Sequence, residues 1–466
     1  MSQANQLRAL PSVDALLRAA AADESLRARA GDARLTRLAR AVADELREEL
    51  RARGNGDQSR ESLLAEALRR LARAVGRDAE AGLRRVVNAT GVILHMNLGR
   101  APLSARARRA VAEEAAGYCA LEYDLATGGR GRRGARAEAL LSELTGAEDA
   151  LVVNNCAAGA LLVLTALARG GDAIISRGEL VEIGGDFRVP DVMAQSGTSM
   201  VEVGTTNRTK LSDYERAVTD STRMIMRVHP SNYRVVGFTS TPPLSELAAL
   251  ARENDLPLYE DAGSGALLDL SPHGLSGEPV IADSIRDGAD VVTFSGDKLL
   301  GASQAGCVVG RRALVEACRR HPLYRALRAD KLALAALEAT LDAHRRGATF
   351  DEIPAMRMLT ATREEIERRA LAFVRRARSR LAAGGLTFEI APGLSAIGGG
   401  SAPTTHPPTA LVAITHAGLS AGALEARLRL SSPPVVARIL GDRVVLDLRT
   451  VEPAEESEII EALAAV

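Results

Sequence analysis

The chain begins with helical periodicity. Leu35, Leu38, Val42, Leu46 and Leu50 recur at steps of three and four, which lines one helix face with leucine and valine. Before them, Ser12 is placed to cap a helix through Val13, Leu16, Leu17 and Ala20. Residues 53–57, Arg-Gly-Asn-Gly-Asp, break the pattern, and a further helix is predicted over about 61–75. Residues 1–80 therefore read as a helical domain. Beyond residue 86 the pattern changes. Short apolar runs at 150–153, 173–175, 224–228, 256–259, 291–294 and 306–309 alternate with helical stretches. That alternation predicts an α/β domain with a mostly parallel sheet over 81–345. After it come a long helix at 363–381, strand-like runs at 410–414, 435–439 and 444–448, and a closing helix at 455–464. They predict a small α+β C-terminal domain, 346–466. No internal repeat is visible.

Composition narrows the classes. The 466 residues carry 59 basic and 59 acidic side chains, and this balance excludes a strongly basic nucleic-acid binder. The first 85 residues are mildly basic, with 17 arginines against 13 acidic residues. A solvated helical face accounts for that as readily as a nucleic-acid arm. Cys119, Cys156, Cys307 and Cys318 form no C-x-x-C pair, which points to a reducing, cytoplasmic setting and to no metal site. Residues 1–20 hold no long apolar stretch of the kind a secretory leader carries. The apolar run 156–168 is too short to span a bilayer and reads as a buried helix.

Lysine is scarce: only Lys210, Lys298 and Lys331 are present. Lys331 falls in a helical stretch and reads as solvated, and Lys210 follows a polar turn. Lys298 comes four residues after the apolar run ending at Phe294, in a segment of small residues. In α/β sheets ligands gather at the carboxyl ends of strands. A lysine there, desolvated and open to a bulky aldehyde, suits Schiff-base chemistry. Asp261 ends an earlier run, 37 residues and one βαβ crossover before Lys298. A carboxylate at that place can keep a pyridine nitrogen protonated. Asn155, Cys156 and Ala157 lie where a strand gives way to a helix, a geometry that offers N–H groups to a phosphate, and Ser295 can add a hydroxyl. Phosphate cup, ring-nitrogen acid and aldehyde lysine occur in the order used by fold-type-I enzymes that depend on pyridoxal 5'-phosphate.

Longer stretches carry a family resemblance: residues 87–102, 229–233 with Gly237 and Phe238, 295–306, 324–331, 433–438 and 446–450. With these the chain resembles the bacterial selenocysteine synthases, the L-seryl-tRNA(Sec) selenium transferases, over nearly its whole length. Met96 and Pro230 depart from the pattern, standing where threonines are expected.

The resemblance implies a fold-type-I transferase that converts L-seryl-tRNA(Sec) to L-selenocysteyl-tRNA(Sec) with selenophosphate, by way of an aminoacrylyl-tRNA. It implies that Lys298 holds the cofactor and moves the Cα proton. Arg100, Arg325 and Arg328 would form the donor's anion site. Arg325 and Arg328, three apart, are expected on one face of a helix. Asp297 is carried over as an active-site residue of unassigned role. His229 and Asn232 are candidates to line the cofactor, with a packed core histidine as the other reading of His229. The helical N-terminus would grip the tRNA. The assembly would be at least a dimer, with a homodecamer as the family's arrangement. Two alternatives stay open: a related pyridoxal enzyme acting on a small amino acid or sugar-amine, and a non-catalytic tRNA-binding relative, against which Lys298 and Asp261 argue.

Overall fold

The computed structural model describes residues 9–53, 59–79, 82–183, 187–381 and 385–466. The chain divides into two compact units after Arg85. In the first, three helices run over Val13–Ala20, Glu24–Arg53 and Arg60–Ala79. Ser12 caps the first, its hydroxyl accepting from Ala15 N–H, a bond worth about 1 kcal/mol. The second is kinked at Gly31, whose φ of 67° leaves the helical region. The leucine stripe lies beyond the kink, and Leu35, Val42 and Leu46 bury against Leu16, Ala67, Leu71 and Val75. Apart from Arg53, the expected break at 53–57 lies outside the described residues. Many arginines here are already paired, among them Arg27 with Asp32, Arg34 with Asp78, and Arg70 with Glu49 and Glu66.

The second unit is built on a seven-stranded sheet. Its strands, numbered in chain order, are β1 (Asp149–Val153), β2 (Asp172–Ser176), β3 (Ser199–Val203), β4 (Thr222–Val228), β5 (Leu258–Asp261), β6 (Val291–Ser295) and β7 (Gly306–Gly310). Their spatial order is β1-β7-β6-β5-β4-β2-β3. From β6 to β3 every pairing is parallel, while β7 runs antiparallel to both β6 and β1. Valine- and isoleucine-rich strands suit this position, because helices cover both faces and no alternation is required. β1, β6 and β7 are buried at every residue. The edge strand β3 was not anticipated, since Ser199 and Glu202 interrupt its apolar run and lie exposed. At the start of β7, a β-carbon on Gly306 would fall 2.1 Å from Asn155 O, so only glycine lets this strand pass the loop after β1.

The C-terminal part holds a four-stranded antiparallel sheet of Leu386–Leu394, Pro408–His416, Arg443–Asp447 and Arg438–Leu440, with the helix Arg363–Arg380 packed on it. The first of these strands was also not anticipated. The run expected as one strand at 435–439 is two pieces. Val435–Val436 pairs in parallel with Val87–Asn88, and Arg438–Leu440 joins the sheet. Val92 further bridges Ala396, so the segment after Arg85 is tied to the C-terminal part. No helix among the described residues is long and apolar enough to cross a membrane.

Candidate active site

The carboxyl ends of β5 and β6 place Asp261 and Lys298 together. Asp261 is the last residue of β5 and pairs in register with Thr293 of β6. Three residues beyond β6, Lys298 is 3% exposed, and Leu299 N–H binds Ser264 O just past β5. A β-carbon placed on Gly263 would lie 3.7 Å from both Asp261 Oδ1 and Lys298 Nζ. Asp261 Oδ1 accepts from Thr293 Oγ1 at 3.2 Å and faces Cys156 Sγ at 3.5 Å. Oδ2 makes no hydrogen bond among the described residues.

Cys156 opens the helix Cys156–Leu167 that follows β1. Asn155 caps it, its side-chain oxygen accepting from Ala158 N–H at 2.9 Å. Being the first two helical residues, Cys156 and Ala157 have N–H groups with no acceptor inside the helix. The Ser295 hydroxyl, at the end of β6, also makes no hydrogen bond among the described residues, and Ser231 Oγ is buried without a partner. These free donors, an unengaged carboxylate oxygen and a buried amine fit a phosphorylated aromatic aldehyde at its phosphate, ring nitrogen and carbonyl.

Burial sets the electrostatics. It pushes the Lys298 ammonium below the usual lysine value, and the nearby Arg100 cation acts in the same direction against the opposing pull of Cys156, Asp261 and Asp297. It pushes the Asp261 carboxyl up, opposed by its bonds to Cys156 and Thr293 and by Lys298. The Cys156 thiol is likewise driven well up, first by burial and then by the Asp261 charge.

The arginines differ from expectation. Arg100, with a positive φ of 62°, donates through Nη1 to Asp297 Oδ2 at 2.8 Å, which gives Asp297 a partner beside the lysine. Arg325 sits in the short helix Pro322–Leu327, exposed and without a hydrogen bond or ion pair among the described residues. Arg328 is not on the same helical face. It is the residue after that helix, in extended conformation at φ −58° and ψ 137°, and it bridges Val153 at the end of β1. Tertiary pairing with β1 ends the helix there and aims Arg328 away from the i, i+3 row. Its guanidinium binds Glu122, which also accepts from Arg133.

His229 follows β4 and anchors by its backbone N–H to Asp261 O at 2.9 Å. Its Nε2 lies 3.3 Å from Glu278 Oε2, and both residues line a cavity of about 500 Å³. Asn232 is exposed and donates to Glu182 O. A β-carbon on Gly400 would lie 3.9 Å from Lys298 Nζ and from Asn232 Cβ, so the C-terminal part reaches the lysine. Of the other lysines, Lys210 is exposed at the N-cap position of the helix Leu211–Glu215, where its backbone N–H donates to Asp213 Oδ2. Lys331 is not merely solvated: its amine donates to Glu114 O and Gly117 O. Sequence reasoning missed Glu278, Glu122, Thr293 and Gly400. Glu278 and Glu122 are single acidic residues whose meeting with their donors the sequence does not record, whereas Thr293 lies within an apolar strand run and Gly400 ends a run of three glycines, each a local signal.

Known proteins place this architecture. A family described as "L-seryl-tRNA selenium transferase" matches residues 86–452. An L-seryl-tRNA(Sec) selenium transferase of Geobacter sulfurreducens is 49% identical over 458 residues, covering 97% of this chain and 98% of that one. Its namesake in Nitratidesulfovibrio vulgaris is 48% identical over 464 residues, covering 98% of both, and one in Moorella thermoacetica is 47% identical over 470, covering 99% and 97%. A solved structure of D-glucosaminate-6-phosphate ammonia-lyase covers 83% of this chain and 96% of its own at 23% identity, with a TM-score of 0.56, a likeness of fold. The shared fold is an α/β architecture built on a mostly parallel sheet. By sequence over nearly its full length, the chain belongs to the L-seryl-tRNA(Sec) selenium transferase family.

Proposed function

We propose that this protein converts L-seryl-tRNA(Sec) to L-selenocysteyl-tRNA(Sec), with selenophosphate as selenium donor and pyridoxal 5'-phosphate held at Lys298. The observation that carries the reading is the buried Lys298 amine set beside Asp261 at the ends of two adjacent parallel strands. When bound, the cofactor supplies an electron sink for charge developing at the substrate Cα. Asp261 would hold the proton on the ring nitrogen, a counter-charge for its buried carboxyl. The N–H groups of Cys156 and Ala157, with the Ser295 hydroxyl, hold the phosphate. Lys298, its ammonium disfavoured by burial, is placed to take the Cα proton and return it. Arg100, held by Asp297, is the cation beside the lysine and the first ligand for the donor's anionic oxygens. Arg325 and Arg328 complete that site. The low exposure of Lys298 keeps water from the reacting carbon.

The helical unit before Arg85 serves as the tRNA grip. The assembly is a homo-oligomer, at least a dimer and by family resemblance a decamer, acting in the cytoplasm. Exposed Tyr118, Leu125, Val236 and Phe238 support a subunit contact. The test is incubation with seryl-tRNA(Sec) and selenophosphate, followed by analysis of the amino acid released from the tRNA. Selenocysteine is the expected product, and serine recovered unchanged overturns the reading.

A further inference from the structure

Glu278 stands in the loop before the helix Ile281–Arg286, and its side chain is 2% exposed. Such a carboxylate needs partners, and it draws them from three separate segments. Ala402 N–H donates to Oε1 at 2.7 Å. His229 Nε2 faces Oε2 at 3.3 Å, a close approach outside hydrogen-bond geometry. Arg234 Nη2 lies 3.5 Å from Oε1 and donates to Gly277 O. Burial pushes the carboxyl up, and His229, then Ser264 and Ala402 N–H, more than offset it, so Glu278 is held below the usual carboxylate value.

The Ala402 contact is informative because of what precedes it. Gly398, Gly399 and Gly400 all have left-handed φ, at 76°, 65° and 71°, and Ala402 itself is at 43°. A β-carbon on Gly398 would come within 2.6 Å of Val92 Cγ1, one on Gly399 within 2.8 Å of Leu94 Cβ, and one on Gly400 within 3.9 Å of Lys298 Nζ. The segment is thus threaded, backbone first, between residues 92–94 and the lysine. Glycines allow that passage but lose the most backbone freedom on ordering. The segment needs a fixed point, and the Glu278 carboxylate supplies one at its far end.

We propose that Glu278 is a positioning residue. It pins the 398–402 segment over Lys298 and, with its other oxygen, orients His229, whose backbone is bonded to Asp261. The two halves of the site are joined at this one carboxylate: closure over the lysine and alignment of the β4 loop beside Asp261. The consequence for activity rests on the function proposed above, whereas the structural consequence does not.

The test compares Glu278→Gln and Glu278→Ala in the full-length protein by hydrogen exchange of the peptide covering 398–402, by the absorbance of added pyridoxal phosphate, and by kcat and KM for seryl-tRNA. Glutamine keeps an oxygen for Ala402 N–H and loses the charge that faces His229. Its exchange is expected to stay within about threefold of the parent, while alanine raises exchange about tenfold or more, an opening of about 1.4 kcal/mol. Both variants are expected to shift the cofactor absorbance and to lower kcat by about tenfold, with KM raised in the alanine variant alone. Unchanged exchange at 398–402 in Glu278→Ala overturns the pinning role. An unshifted absorbance with parental kcat in Glu278→Gln overturns the orienting role. If Glu278→Ala fails to fold, the glutamine variant and an Ala402→Gly variant, which keeps the N–H, decide the matter: the proposal requires the latter to exchange like the parent and is overturned if it opens. Failure of the functional reading shows separately, as absence of a trapped adduct on Lys298, and leaves the exchange comparison standing.

Discussion

Arg328 Nη1 donates to Glu122 Oε1 at 3.0 Å, and the same oxygen accepts from Arg133 Nε at 2.8 Å. The Arg133 bond is the foremost reason that Glu122 is held below the usual carboxylate value, ahead of the smaller pull of Arg130 and Arg328. A guanidinium fixed in this way presents its remaining N–H groups in a set direction, next to the end of β1 from which the Cys156 helix departs.

This placement shapes the first prediction. Charge-assisted hydrogen bonds from arginine contribute roughly 1.5–3 kcal/mol each. Arg325→Ala/Arg328→Ala is therefore expected to weaken use of selenophosphate by about two orders of magnitude or more. Pyridoxal phosphate and seryl-tRNA binding should persist, and raised selenophosphate should partly restore turnover, because the defect is in capture. Steady-state kinetics against donor concentration checks this. Loss of the cofactor in the double variant would move these arginines into the cofactor site or the scaffold.

A second prediction concerns the cofactor bond. Borohydride treatment of the protein with pyridoxal phosphate is expected to label Lys298 alone, and Lys298→Ala to abolish labelling, as read by peptide mass spectrometry. Lys210 is exposed at the start of a short helix and Lys331 is engaged by two carbonyls, so neither is placed for the reaction. A label on either one sinks the assignment.

A third follows from the lowered Lys298 pKa. Burial and Arg100 both disfavour the ammonium form, so the proton leaves below the usual 10.5. Trace acetylation of cofactor-free protein across pH should therefore give Lys298 a midpoint below 10.5. Arg100→Ala removes one of the two causes and should move the midpoint up, while Asp261→Asn removes an anion that favours the ammonium and should move it down. Folding stability has a matching sign: the unfolded chain holds this proton to higher pH, so the contribution of Lys298 to stability grows as pH rises from the folded value to 10.5. A midpoint at or above 10.5 contradicts the burial argument.

A fourth concerns the helical unit. The chain divides after Arg85, and every candidate cofactor residue lies beyond that point. Removal of residues 1–85 is expected to leave pyridoxal phosphate bound to Lys298 and to take away most affinity for tRNA. Filter binding of labelled tRNA reads the loss, and unchanged affinity refutes the assignment of this unit.

Much of this protein is legible in the linear sequence because the signals are local. A run such as 291–294 must be buried on both faces of a sheet, and strand, crossover and strand follow from such runs wherever they are unbroken. Lys298 and Asp261 could be found because both sit just past such runs, where a parallel sheet collects ligands. Strands β3 and Leu386–Leu394 escaped because edge and solvent-facing positions relax the demand for apolar residues, so Ser199, Glu202 and Glu389 are tolerated there. Only the folded chain decided where Arg328 points, since a helix-spacing argument is blind to a distant strand that ends the helix by pairing with it. The same holds for Glu278 and Glu122. A carboxylate in such a place is chosen by the donors that surround it, and those of the half-buried Glu122 lie from 8 residues away, at Arg130, to 206 away, at Arg328. Periodicity records which side of an element faces the core; it carries no record of which polar groups meet there, because that meeting depends on three-dimensional closure alone.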